Sequence, residues 1–244
     1  MNLEIGRSVT FPFEDPQWGQ KLIVFLVIGF IPGLNLIVWS GYALTTARNL
    51  ARGADLPLSS WADWSDIAVR GLLGIAATGV YLSPAFLITG CLALASLALG
   101  GRAAGAFLSL RCVGFGVAIL FVLLMSYVLW IGHTRFAQTD QFQSYLDFSA
   151  RLRDARAGSN LFGTLFLYQT LLMFLMVMLT IVAGALFLFA LSVIATASVI
   201  GSLVALVFLA LALVGYVAIV TAAFLANGYI LGMAAHTAQL KAKV

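Results

Sequence analysis

Two histidines, His133 and His236, are the only imidazoles in this 244-residue chain, and each closes a long apolar run. Imidazoles at the ends of facing helices can offer two axial ligands to a haem, or one to a chlorin pigment. Lone histidines at such places are more often ordinary interface residues, so the cofactor reading stands as the sharper of two alternatives. The remaining candidates are charged. Asp66 and Arg70 stand four residues apart in the acid-first order that suits a helix, a pair worth about 0.5 kcal/mol if exposed. On a helical wheel Asp147, Arg151 and Asp154 share one side. A mixed-sign ridge of that kind suits register with a protein partner better than lipid binding, for which a lysine-rich face is expected. The sequence carries no metal-ligand spacing, no glycine loop beside a lysine, and no nucleophile at a plausible distance from a base. The reading is non-enzymatic, with no metal.

These residues hang on elements of unusual composition. Hydrophobic residues make up 62% of the chain, charged residues only 9%, and mean hydropathy is +1.06. A soluble domain carries about a quarter charged residues, so this chain has too few to cover a surface in water. Asp, Glu, Lys and Arg are missing from 22–47, 71–101, 112–134 and 157–240. Each interval exceeds the roughly 20 apolar residues of one helical crossing. The runs do not alternate as barrel strands do. The net charge of +4 sits at the ends of apolar runs, a placement for anionic headgroups and not for nucleic acid. Cys91 and Cys112 read as small apolar residues and not as a disulfide. Met1 to Pro16 has three acids and no apolar core, unlike a signal peptide, so the first apolar run is expected to direct insertion.

In order, residues 1–21 form an interfacial arm and 22–47 an apolar element broken by Ile31-Pro32-Gly33. That break makes either a kinked fifth crossing or a re-entrant hairpin, the latter allowed only where protein covers its turn. A polar hinge follows at 48–70, with Gly41, Tyr42, Arg48, Pro57, Trp61, Asp66, Arg70 and Gly71 as its structural residues. Ser60 is placed to cap the next helix, and Trp61, Trp64 and Ile67 are expected to face lipid. Spans are expected at 71–99 (kinked at Pro84), 113–131, 161–190 and 203–235. Between the second and third, 141–156 reads as an amphipathic interface helix capped by Asp140 and ended by Gly158. Its lipid side would hold Phe142, Tyr145, Leu146, Ser149 and Leu152, flanked by Arg153 and Arg156, with the ridge of Asp147, Arg151 and Asp154 in water. Gly228 and Gly232 have the spacing of a close helix contact.

Span parity puts the hinge, 133–160 and the C-terminus on one side with nine basic residues, against Arg102 and Arg111 on the other. The positive-inside bias makes the richer side, and the C-terminus, cytoplasmic in an inner membrane. A hairpin at 22–47 adds Arg7 and Lys21 to that side, eleven against two; a crossing gives nine against four. Charge favours the hairpin, and the commonness of full crossings favours the crossing.

The succession Phe11-Pro12-Phe13, Asp15-Pro16-Gln17-Trp18, Gly41-Tyr42, Arg48, Gly53, Leu56-Pro57, Trp61, Asp66, Gly71 and Tyr81-Leu82-Ser83-Pro84 resembles an uncharacterised family of bacterial and archaeal multi-spanning membrane proteins, domain-of-unknown-function family 4013. Phe142, Leu146-Asp147-Phe148 and Gly228-Tyr229 also resemble its pattern. Ser59 or Ser60 stands where that family usually has an acid. The resemblance implies an α-helical membrane fold and no established activity. The whole reads as an all-α integral membrane protein of about four full spans, an N-terminal re-entrant or kinked element, and interfacial helices. As to function, it reads as a membrane subunit or scaffold associating with lipids and with other integral membrane proteins or itself. The alternative is a small permease for an uncharged or lipidic solute.

Overall fold

A short helix that does not cross the molecule forms its centre. The computed structural model describes residues 5–54, 58–98, 104–196 and 198–242, all helix, turn or connection. The helices are α1 (Ile5–Thr10), α2 (Trp18–Gly29), α3 (Leu34–Ala51), α4 (Trp64–Ala98), α5 (Ala104–Thr139), α6 (Phe148–Ala157), α7 (Ser159–Thr196) and α8 (Val199–Ala242). Single 3-10 turns lie at Phe11–Glu14, Trp61–Asp63 and Phe142–Tyr145. Four helices, α4, α5, α7 and α8, are long and apolar enough to span a membrane. Leu56 and Pro57 of the hinge, and Gly100 to Arg102, lie outside the described residues.

The broken element is a helical hairpin. Pro32 and Gly33 interrupt the run, and Gly33 takes φ +82°, a conformation in which a Cβ is strained. The two arms then return side by side. Phe25 of α2 meets Tyr42 of α3 edge-on with ring centroids 4.4 Å apart, and Lys21 Nζ donates to the Leu58 carbonyl at 3.1 Å. Trp61 Nε1 donates back to the Lys21 carbonyl at 3.3 Å. The start of α2 therefore abuts the chain leaving α3, and both ends of the hairpin lie at one end of the bundle. Asn35 seals the turn: its Nδ2 donates to the Gly29 carbonyl at 3.2 Å, and its Oδ1 accepts from the Leu36 N–H at 2.8 Å. The hairpin stops early. At 1.5 Å per residue, Gly33 lies about 12 Å from Gly41 along α3, whereas α4 continues about 40 Å beyond the facing Gly71.

Glycine lets the neighbours close on α3. A Cβ on Gly41 would overlap the Ile67 carbonyl oxygen of α4, and one on Gly71 would overlap that of Ile37. On the opposite side, a Cβ on Gly228 of α8 would lie 2.6 Å from the Ala43 oxygen, and one on Gly232 2.6 Å from Leu50 Cβ. Residues 41 to 47 are buried without interruption. Hydrophobic burial on all sides is what lets a re-entrant helix of mixed composition hold its place. Past the hairpin turn the long helices are far more open, with Phe86, Leu94, Leu188 and Phe208 all exposed. Helices α7 and α8 are joined by a Gln169–Asn227 hydrogen bond level with the middle of α3, and further along by Thr180 and Tyr216 at 3.2 Å.

Several local expectations change. Ile67 is buried against Gly41 and does not face lipid; Trp61 is half-buried between Phe25 and Tyr42. Where a kink is expected, Pro84 does lie inside α4, and Ser83 Oγ donates at 2.9 Å to the Val80 carbonyl that a proline nitrogen leaves without its helical donor. The 141–156 segment is not one helix. It is a 3-10 turn followed by the ten residues of α6, whose cap is Asp147, with Oδ1 accepting from the Ala150 N–H at 2.9 Å. Gly158 closes α6 as expected, its N–H bonding the Asp154 carbonyl at 2.8 Å. Asp140 does not cap α6; it follows α5 at φ +62°, its N–H bonding the Phe136 carbonyl at 2.8 Å.

Candidate functional site

The polar groups of the described residues concentrate at the end of the bundle where α3 terminates. Arg70, buried on α4, is the pivot. Its Nη2 donates to Asp66 Oδ1 at 2.9 Å and to Asp140 Oδ2 at 2.8 Å, and its Nη1 pairs with Asp140 Oδ1. Arg48 at the end of α3 reaches Asp140 at 3.2 Å and Asp66 at 3.5 Å, and Arg52 reaches Asp140 at 3.5 Å. Three guanidinium groups thus share two carboxylates, leaving one positive charge. The expected Asp66–Arg70 pair exists, but as one edge of a network closed by a residue 70 positions further on. Burial alone would raise the Asp140 carboxyl; hydrogen bonds and charge from Arg70, then Arg48, outweigh it and hold it below its ordinary value. Left-handed backbone at a non-glycine residue is unfavourable, so this network also holds a strained residue in place.

Beside the network lies an aromatic wall. Tyr42 is wholly buried and donates its hydroxyl to the Ser59 carbonyl at 2.7 Å, so Gly41, Tyr42, Arg48, Trp61, Asp66, Arg70 and Gly71 are brought together around α3. Lys21, read from sequence only as an orienting charge, is buried against Asp15 at 2.6 Å and ties the N-terminal arm to the hinge.

On the other flank, between α4 and α5, the 3-10 turn folds inward. Tyr145 is buried with its ring stacked on Phe136, its hydroxyl 2.7 Å from His133 Nδ1 and its carbonyl accepting from Tyr81. Trp130 lies 5.2 Å from the same imidazole. Trp130 and Tyr145 thus pack against His133, and the Tyr145 hydroxyl occupies its Nδ1. His236 lies with Nδ1 3.4 Å from the Ala51 carbonyl at the end of α3, facing a different neighbour.

The ridge of Asp147, Arg151 and Asp154 does not stand out as one surface: Asp147 is exposed and Asp154 half-buried, but Arg151 is buried. Asp154 pairs with Arg135 of α5, including a 3.2 Å bond from Nη2, and Asp147 is spent as the cap of α6. Arg151 is 1% exposed, its side chain running beneath α6 toward Gly132, Tyr81 and Phe148. The exposed large apolar residues here are Leu146, Phe148 and Leu152. A wheel that assumes one continuous helix from residue 141 misplaces Arg151, which lies after the break at Leu146–Asp147 and is buried, while Asp147, Ser149, Leu152, Arg153 and Arg156 are exposed as that wheel has them. Mixed-lined space of about 330 Å³ remains near the ion pair, between Thr134, Gln138, Phe162 and Gln239.

Four spanning helices closed around a glycine-clasped hairpin define a multi-pass α-helical membrane protein. The chain belongs to the DUF4013 family, described as "Protein of unknown function", whose sequence profile matches residues 22–188, from the hairpin through most of α7. No curated protein and no solved structure matches it.

Proposed function

We propose that this protein is a non-enzymatic membrane subunit or scaffold that assembles with other integral membrane proteins, or with itself, through the turn of its hairpin. One observation carries the reading. Phe30 and Ile31 are 44% and 45% exposed at a turn about 12 Å beyond Gly41, on the side away from the charged end and alongside the apolar spans. Irregular backbone at that depth is tolerated only when protein covers it or a water-filled cavity meets it. Asn35 meets part of the hydrogen-bonding demand, and the open apolar surroundings favour a protein cover over a watery one. The sealed centre agrees: α3 fills the axis where a solute path would run, and the charged groups around it are engaged with one another. We further infer that the charged end faces the cytoplasm. The hairpin returns Arg7 and Lys21 to that end, so the basic residues divide eleven against two, with the C-terminus inside.

Photo-crosslinking tests this. A benzoyl-phenylalanine at Ile31, activated in native membranes, is expected to yield a discrete protein adduct, either with a stoichiometric partner or with a second copy. The same probe at Phe208 is expected to give lipid adducts. Lipid adducts alone at Ile31, with a monomer on purification, would contradict the subunit reading. Those results would favour the second reading, a lipid-handling permease. Two laterally open apolar cavities support that alternative. One, of about 410 Å³, lies between α7 and α8 and is lined by Phe189 and Phe208 among others. Another, of about 260 Å³, lies between the N-terminal arm, α2 and α8, lined by Phe13, Leu26 and Leu225 among others.

A further inference from the structure

Arg151 is a buried cation whose counter-charge is not found among the described residues. Its Nε donates to the Asp147 carbonyl at 3.1 Å, but Nη1 and Nη2 have no hydrogen-bond partner there. The nearest acids on its own helix are otherwise engaged: Asp154 with Arg135, Asp147 with the first turn of α6. Two rings take part of the load, with the guanidinium carbon 4.5 Å from the Phe148 centroid and 5.1 Å from that of Tyr81. Burial lowers the Arg151 pKa only to about 10, so the group remains charged at neutral pH. A buried charge without an anion is costly, and an orphaned donor pair of this kind calls for an acceptor.

The setting indicates which acceptor. Phe148, the ring nearest the guanidinium, is itself 54% exposed, and Leu146 and Leu152 stand exposed on either side of it. Phe148 and Leu152 on α6, with Leu146 just before it, form an exposed apolar patch suited to the membrane interface, where phospholipid headgroups lie. Turning one aromatic side chain outward would uncover both terminal nitrogens to that layer. Their forked geometry matches two oxygens of one phosphate. We infer that Arg151 is the receptor of a phosphate oxyanion, with Phe148 as its movable cover, and that the phosphate of an anionic phospholipid is its natural source. Arg153 and Arg156, exposed on the same helix, are left as general surface charge.

The test uses the full chain purified in a neutral detergent, with thermal unfolding followed at rising concentrations of phosphatidylglycerol, phosphatidylcholine or inorganic phosphate. Phosphatidylglycerol is expected to raise the midpoint by several degrees, and phosphatidylcholine to raise it much less. Inorganic phosphate acting equally would identify free phosphate as the source and still support the site. Arg151→Gln is expected to weaken the half-saturating concentration at least tenfold, Arg151→Lys less, and the double change Arg153→Gln, Arg156→Gln hardly at all. Phe148→Ala keeps the guanidinium and removes its cover, so it is expected to bind the phosphate more tightly. A folded Arg151→Gln variant that keeps the full response would overturn the inference. If that variant does not fold, an unchanged response in Phe148→Ala would overturn it equally.

Discussion

Gly41→Ala is expected to abolish the folded protein, the largest effect of any single methyl group added to this chain. The added Cβ would overlap the Ile67 carbonyl oxygen, a backbone atom that no rotamer change can move. The helices would have to part, and α3 cannot retreat, because Gly228 and Gly232 hold it against α8 from the other side. Overpacking in an ordinary core costs about 1–3 kcal/mol. A backbone clash at a clasped crossing belongs at or beyond the upper end of that range, enough to remove most of a marginal stability. Gly71→Ala is expected to act alike through the Ile37 oxygen. Gly79→Ala and Gly116→Ala are the controls: a Cβ at either meets nothing within 4 Å, and alanine favours a helix. Monodisperse yield after detergent extraction, with thermal midpoints for the survivors, reads all four. Normal yield for Gly41→Ala would mean that the α3–α4 crossing is not as close as described.

The second large effect is expected at Asp140. Asp140→Ala loses the carboxylate shared by Arg70, Arg48 and Arg52, and places alanine at φ +62°. Breaking a fully buried pair costs about 3–5 kcal/mol. Asp140 keeps 28% of its side chain exposed, and Arg70 retains Asp66, so about 2 kcal/mol is the better expectation for the charge alone. Left-handed strain adds about 1 kcal/mol for alanine. Asp140→Gly removes the strain and Asp140→Asn tolerates it, so both should fall between wild type and Asp140→Ala. The pH dependence follows from the sign of the shift. A carboxyl held below its ordinary value contributes stability that is fully present above the unfolded pKa, about 3.9, and is lost as pH falls through the lower folded value. The gap in midpoint between wild type and Asp140→Asn should therefore be constant near neutrality and close below about pH 4. A gap that persists there would assign Asp140 a role other than its charge.

How much of this could be read from residues alone depended on range. The helical membrane class was legible, because composition and uncharged run length are summed properties. The clasp was half legible: Gly41, Gly71, Gly228 and Gly232 were all singled out, but in a chain with 23 glycines nothing marks which pairs meet. Ile31-Pro32-Gly33 marked the break, while crossing and hairpin share the same local sequence and differ only in what the second arm packs on. The Asp140 network escaped because Arg48 and Asp140 are 92 positions apart, and a lone acid after a long helix looks like a cap. Arg151 was misplaced because Asp147 restarts the helix, which resets the phase of the wheel by an amount that depends on the turn before it. A signal was present, since the Asp of Asp147-Phe148-Ser149-Ala150 has the chemistry of a cap.

The re-entrant hairpin is the claim on which the rest depends, and the sidedness of single cysteines tests it most directly. In a background with Cys91 and Cys112 replaced by alanine, cysteines at Thr10, Ala54 and Ser198 are exposed positions before α2, after α3 and between α7 and α8. An impermeant maleimide applied to sealed vesicles of each orientation should label Thr10 and Ala54 from one side and Ser198 from the other. Labelling of Thr10 together with Ser198, and opposite to Ala54, would mean that the first apolar element crosses the membrane, and would contradict the structure at its centre.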